Sequence, residues 1–185
     1  INSLFRNDSS FAFTNTDVNK IEYSSLPEYS LVIMNEVKSV SSGFAQEMQQ
    51  FVFKGGSLLV FPNPDADLAS YNTFLEPLGK VIYLAKDTAA TKVSEINTGN
   101  LLYQNVFEKI PENINLPVVK SHFKFSASTY SSDEYLMKMK TGESFLLSEK
   151  SKKGKVYLAA SALSDESSNF AKHAIFVPTL FNMAL

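Results

Sequence analysis

The stretch that most constrains the fold is residues 29–62, YSLVIMNEVKSVSSGFAQEMQQFVFKGGSLLVFP. Leu31, Val32, Ile33 and Met34 form a short unbroken apolar run, the pattern of a strand covered on both faces, as in a parallel sheet. A helical stretch follows, with Phe44, Met48, Phe51 and Val52 at spacings that place them on one stripe. Gly55 and Gly56 stop that helix, and residues 57–61 supply a second buried strand. Two parallel strands joined by a helix make a crossover unit, whose hand is nearly always right. The unit sets an α/β class and names no reaction.

The remaining segments arrange themselves around it. Residues 10–14 (SFAFT) alternate as a short strand, and residues 17–27 lead from it to the central unit. Pro62 and Pro64 force the chain out of the sheet, Asp67 caps a helix over residues 68–78, and Gly79 ends that helix. Residues 80–85 read as a strand, and residues 86–100, rich in Thr, Ser and Asn, as an extended or looping excursion. Residues 101–107 read as a short helical or irregular segment, and Pro111 and Pro117 bracket a loop. Residues 120–126, 134–140, 144–149 and 155–160 are short strands separated by Ser-Ser-Asp, Thr-Gly-Glu and Lys-Lys-Gly turns, which describes an antiparallel meander. The last of these has an apolar end that returns to the parallel sheet. Residues 170–185 form an apolar helix, in which Pro178 requires either a kink or a helix that begins near Val177.

Bulk properties exclude several function classes. At 185 residues the chain suits a single domain with a core that needs no staples. The net charge is -2 and the lysines are scattered, so the footprint of a nucleic-acid binder is missing. There is no cysteine, which removes thiol nucleophiles, thiolate ligands and disulfides together. Two histidines, His122 and His173, are too few for a histidine-rich metal centre, and no cofactor is implied. No apolar run reaches the length of a membrane span. The first residues look like the last turn of a helix whose start is missing, so the chain reads as a segment of a longer protein.

In an open α/β sheet, ligands bind outside the carboxyl ends of the parallel strands. Those ends carry Asn35 and Glu36 after the first strand, Asn63 and Asp65 after the second, and Ser161, Asp165 and Asn169 after the last, with His173 following. This polar, acidic set can hold a cation through oxygens or a sugar through carboxylate and amide bonds. Equally, Asp, Asn and Ser are the residues that cap helices and close loops on their own backbone. Glu36 is a candidate general acid or base, though no second carboxylate is fixed beside it by spacing. His173 with Asp165 and a nearby serine invites a triad, but neither Ser161 nor Ser164 sits in a G-x-S-x-G elbow. The glycine pair at 55–56 precedes a strand and is a turn; the Lys150–Lys155 cluster reads as a solvated hairpin tip.

The strand, helix and Gly-Gly-strand block resembles the class I glutamine amidotransferase-like superfamily. The later pieces NVFEKIPENINLPVVKSHF, YNTFLEPLG and KKGKVYLAASALSDESSNFAKHAIFVPTLFNMAL resemble, more narrowly, the corresponding domain of bacterial aerotolerance-regulator (BatA-like) membrane proteins. The resemblance implies a flavodoxin-like three-layer sandwich, with a mostly parallel sheet and an added antiparallel meander. It also implies a soluble domain of a membrane-anchored cell-envelope protein, with other envelope or membrane proteins as partners; the side of the membrane stays open, the periplasm being favoured over the cytoplasm. Active members of the superfamily keep a nucleophilic cysteine at the turn after the second strand. Here that turn is Pro62-Asn63, so the superfamily's glutamine hydrolysis is excluded and no catalytic residue carries over. The expectation is a non-catalytic binding or assembly module. The alternatives are a hydrolase or carbohydrate-linked enzyme using strand-end carboxylates, and a small-ligand sensor.

Overall fold

The computed structural model describes residues 1–6, 9–104, 106, 115–126 and 133–185. The elements in chain order are α1 (Asn2–Phe5), β1 (Leu31–Asn35), α2 (Ser42–Lys54), β2 (Ser57–Phe61), α3 (Leu68–Leu75), β3 (Tyr83–Asp87), β4 (Thr91–Ile96), β5 (Val118–Val119), β6 (His122–Phe125), β7 (Asp133–Met139), β8 (Ser144–Ser151), β9 (Gly154–Ala159) and α4 (Phe176–Ala184). Seven strands form one sheet in the order β1-β2-β9-β8-β7-β4-β5, and β3 pairs with β6 in a second, two-stranded sheet. β1, β2 and β9 run parallel, and β8, β7, β4 and β5 continue the sheet antiparallel. The α/β class, the parallel crossover unit and the added meander are therefore as the sequence reads.

The central unit forms for local reasons. Ser41 caps α2, its Oγ accepting from the Phe44 N–H at 3.4 Å, and Gly55 ends the helix at φ 124°, a conformation that costs a residue without Cβ little. Phe44, Met48, Phe51 and Val52 are buried as their spacing requires. Alternate residues of the parallel strands then face two cores. Leu58 and Val60 of β2, with Val156 and Leu158 of β9, pack under α2 and α3. Leu59 and Phe61, with Tyr157 and Ala159, pack against α4 on the other face. Three layers result, with β2 covered on both sides. β1 lies at the sheet edge, with Leu31, Val32 and Ile33 only half-buried.

Several sequence expectations shift. Residues 11–14 form no strand; Phe11 and Phe13 serve instead as an aromatic cluster with Phe5 and Phe181. The excursion at 86–100 contains β4, which joins the main sheet because Val93 is fully buried there while its polar neighbours face out. β3 starts at Tyr83 rather than near residue 80, and residues 122–125 pair with it outside the meander. α3 is capped by Asp67, whose Oδ1 accepts from the Ser70 N–H at 3.4 Å, and ends at Leu75. Pro178 is the third residue of α4, a first-turn position where its missing N–H breaks no helical bond. Residues 170–172 form a separate 3-10 turn. Leu101–Tyr103 form a 3-10 turn, in line with the short helical segment expected there; the expectations at Pro111, at the Ser131–Ser132 turn and at residues 105 and 107 lie outside the described residues.

Candidate functional site

Glu36 follows β1 directly and adopts φ 53°, one of two non-glycine residues in the left-handed region among those described. A side chain there is strained and is held by its surroundings. The surroundings are three strand ends. The Glu36 N–H donates to the Phe61 carbonyl at the end of β2, 2.9 Å away. Its carbonyl accepts from Asn63 Nδ2 at 2.8 Å. Its carboxylate Oε1 accepts from the backbone N–H groups of Leu163 at 2.9 Å and Ser164 at 3.1 Å, in the loop after β9. One residue thus ties together the loops that leave all three parallel strands. Charge-assisted bonds from two amides are the strong kind.

Asn63 continues the clamp. Its N–H donates to Tyr71 Oη at 3.5 Å and its Oδ1 accepts from the Asp65 N–H at 2.8 Å. Tyr71 in turn donates to the Val37 carbonyl. Burial pushes the Tyr71 phenol up to about 12; the hydrogen bond from the Asn63 backbone opposes this, and the nearby Glu36 charge adds to it. Tyr83, which meets Tyr71 edge-on at 5.9 Å, is driven well above the ordinary range by burial, and donates to the Ala159 carbonyl at 2.8 Å. Both phenols are neutral structural donors across the neutral range.

The remaining strand-end residues go elsewhere. Asn35 is exposed at the edge of β1, and Asp65 is exposed with no side-chain hydrogen bond to Glu36 among the described residues. Ser161 is buried, its Oγ donating to the Ser121 carbonyl at 2.9 Å. Asp165 pairs with Lys172. Asn169 Oδ1 accepts from the Val118 N–H at 2.7 Å. His173 Nε2 meets the Asn115 carbonyl and its Nδ1 accepts from the Ile175 N–H at 3.3 Å. Serine, Asp165 and His173 therefore form no triad, since each is committed to a different partner. Of the eight sequence candidates, the structure joins Glu36 and Asn63 directly and closes the Ser161 loop over them.

One feature at this end escaped sequence reading. His122 on β6 is buried, its Nε2 lies 3.3 Å from Glu143 Oε2, and its Nδ1 has no hydrogen-bond partner. Glu143 also accepts from Thr141 Oγ1 at 3.1 Å and lies 3.7 Å from Lys124 Nζ. Lys124 bonds Asp87 at 3.1 Å. The Ala89 N–H first and Lys124 second hold the Asp87 carboxyl below its usual range. The only sequence signal was that His122 stands in an alternating strand, which marks no partner 21 residues away. Among the described residues no group of three or more His, Asp or Glu is arranged to hold a metal ion.

No protein-family model matches the chain, and comparison with curated proteins finds no match. Solved structures do resemble it. A cytoplasmic protein of Salmonella typhimurium LT2 superposes with a TM-score of 0.74 at 16% identity, over 98% of this chain and 83% of that one. A putative ThuA-like protein of Bacteroides uniformis ATCC 8492 gives 0.68 at 16%, over 98% and 80%. A β-galactosidase of Bacillus circulans sp. alkalophilus gives 0.57 at 18%, over 84% of this chain and 22% of that chain. At these identities the likeness establishes the fold. The expectation of a membrane-anchored envelope protein is corrected: two of the similar structures are described as cytoplasmic proteins, and no helix among the described residues is long and apolar enough to cross a membrane.

Proposed function

We propose that the chain is a non-catalytic binding module on an amidotransferase-like α/β scaffold, acting by docking another macromolecule. The observation that carries this reading is the commitment of Glu36. Its Oε1 accepts from the backbone N–H groups of both Leu163 and Ser164, which fixes the carboxylate as a loop clamp, where a general acid or base would be presented to substrate. Two further facts agree. The chain contains no cysteine, and the turn after β2 is Pro62-Asn63, tied by Asn63 to Glu36 and Tyr71. A similar fold also occurs as roughly a fifth of much larger glycosidase chains, which supports an accessory role for the scaffold itself.

The test is a hydrolysis screen over glutamine, activated esters and aryl glycosides, run on the wild-type protein and on Glu36→Gln. The expected result is no turnover that depends on Glu36. Turnover by the wild type that disappears in a folded Glu36→Gln protein would replace the docking reading with the hydrolase one.

A further inference from the structure

The β8–β9 hairpin and the end of α2 carry five exposed lysines at the pole opposite the Glu36 clamp: Lys54, Lys150, Lys152, Lys153 and Lys155. Lys152 and Lys153 form the tip, and Lys150 stands directly opposite Lys155 in the strand register. Like charges placed opposite one another in a sheet repel. Among the described residues none of the five forms an ion pair. One member of the cluster and the hairpin that carries it are also fixed in space. Lys152 is held at φ 50° and its ammonium lies 3.5 Å from the centroid of the Phe53 ring. Gly154 presses so closely on the start of β2 that a Cβ there would sit 2.2 Å from the Gly56 carbonyl oxygen.

Beside this hairpin lies a groove of about 530 Å³ at the amino ends of β1 and β2. Tyr23, Tyr29, Phe51 and Met183 give it an apolar floor, and Lys54, Glu47 and Gln50 of α2 rim it. Gly55 and Gly56 line the groove, and the Gly56 carbonyl accepts from the Lys155 N–H of the hairpin at 3.4 Å, so the groove and the lysines form one continuous surface. We infer that this pole docks an acidic polypeptide segment bearing aromatic side chains, carboxylates on the lysines and rings in the groove. The inference rests on the docking reading above and names its partner class. Polyphosphates fit less well. The single arginine, Arg6, is far along the sequence from the cluster, where bidentate phosphate recognition would call for arginine.

The test is a fluorescence-anisotropy titration with a labelled synthetic peptide of alternating glutamate and tyrosine, at low and physiological salt. Phosphatidylserine vesicles and single-stranded DNA serve as competing probes. Saturable binding is expected, weakened about tenfold in Lys54→Gln/Lys153→Gln and unchanged in the distant pair Lys92→Gln/Lys140→Gln, at the β4 side of the sheet. Tyr23→Ser should weaken binding without altering its salt dependence. Failure of the wild type to bind the peptide overturns the inference, as does equal weakening in the distant pair or preference for vesicles or DNA. Circular dichroism melts confirm that each variant is folded. Loss of peptide binding without Glu36-dependent turnover removes this surface alone; Glu36-dependent turnover removes the docking reading itself.

Discussion

At the residue scale, Glu36 combines an unfavourable backbone with a favourable set of bonds. Left-handed φ costs a β-carbon residue on the order of 1 kcal/mol or more. Two amide donors to a carboxylate and two backbone bonds offset that cost. Glu36→Ala keeps the strained backbone and strips the acceptor from two amides, so it should destabilise by about 2–4 kcal/mol in urea unfolding. Glu36→Gln retains one acceptor oxygen and should cost less than half as much. Gly154→Ala is a second residue-scale case. Its methyl would meet the carbonyl oxygens of Gly56 and Val52 at 2.2 and 2.3 Å, and backbone cannot step aside as a side chain can. A loss of about 1–3 kcal/mol is expected in the same assay. Burial holds the Tyr71 phenol protonated to about 12, above its unfolded value. Its contribution to stability is therefore complete below about pH 10 and is lost as pH rises through 12. Tyr71→Phe should flatten that alkaline decline, read as unfolding midpoint against pH.

At the element scale, what was legible in the sequence is what local periodicity encodes. The β1–α2–β2 unit, the Asp67 cap and the β7–β8–β9 meander all follow from spacing, caps and turn residues within a dozen positions, whereas Pro178 was readable only as a kink or a first-turn residue and the structure makes it the latter. β4 was hidden because only Val93 of its six residues is buried, which is too little alternation to register. The pairing of β6 with β3 depends on a fold-back over some 35 residues that no local pattern specifies. The site divides the same way. Residue types at the strand ends were readable, and Glu36 and Asn63 were among them. The role of Glu36 was not, because its partners lie 127 and 128 residues further along the chain. The His122–Glu143 contact was missed for the same reason.

At the scale of the whole molecule, one sheet divides two cores that share their central strands. Leu58 and Val60 point into one core while Leu59 and Phe61, on the same strand, point into the other. Neither core can dissolve without releasing β2 and β9, so unfolding should be a single cooperative step. Coincident urea transitions in far-ultraviolet circular dichroism and tyrosine fluorescence are expected; two separated transitions would show that the cores are independent. The poles of the sheet also differ in character: the carboxyl end is closed by internal hydrogen bonds, and the amino end presents lysines that form no ion pair among the described residues, beside an open groove.

The claim that the strand-end carboxylate is structural is tested most directly by amide hydrogen exchange at Leu163 and Ser164, in the wild type and in Glu36→Ala, which removes the one oxygen that accepts from both. Both amides should be protected in the wild type and should exchange about tenfold faster or more in the variant, while amides in the middle of β2 change little. Rapid exchange at both positions in the wild type, or rates unaltered by the substitution, would contradict the clamp and return Glu36 to the pool of free carboxylates available for chemistry.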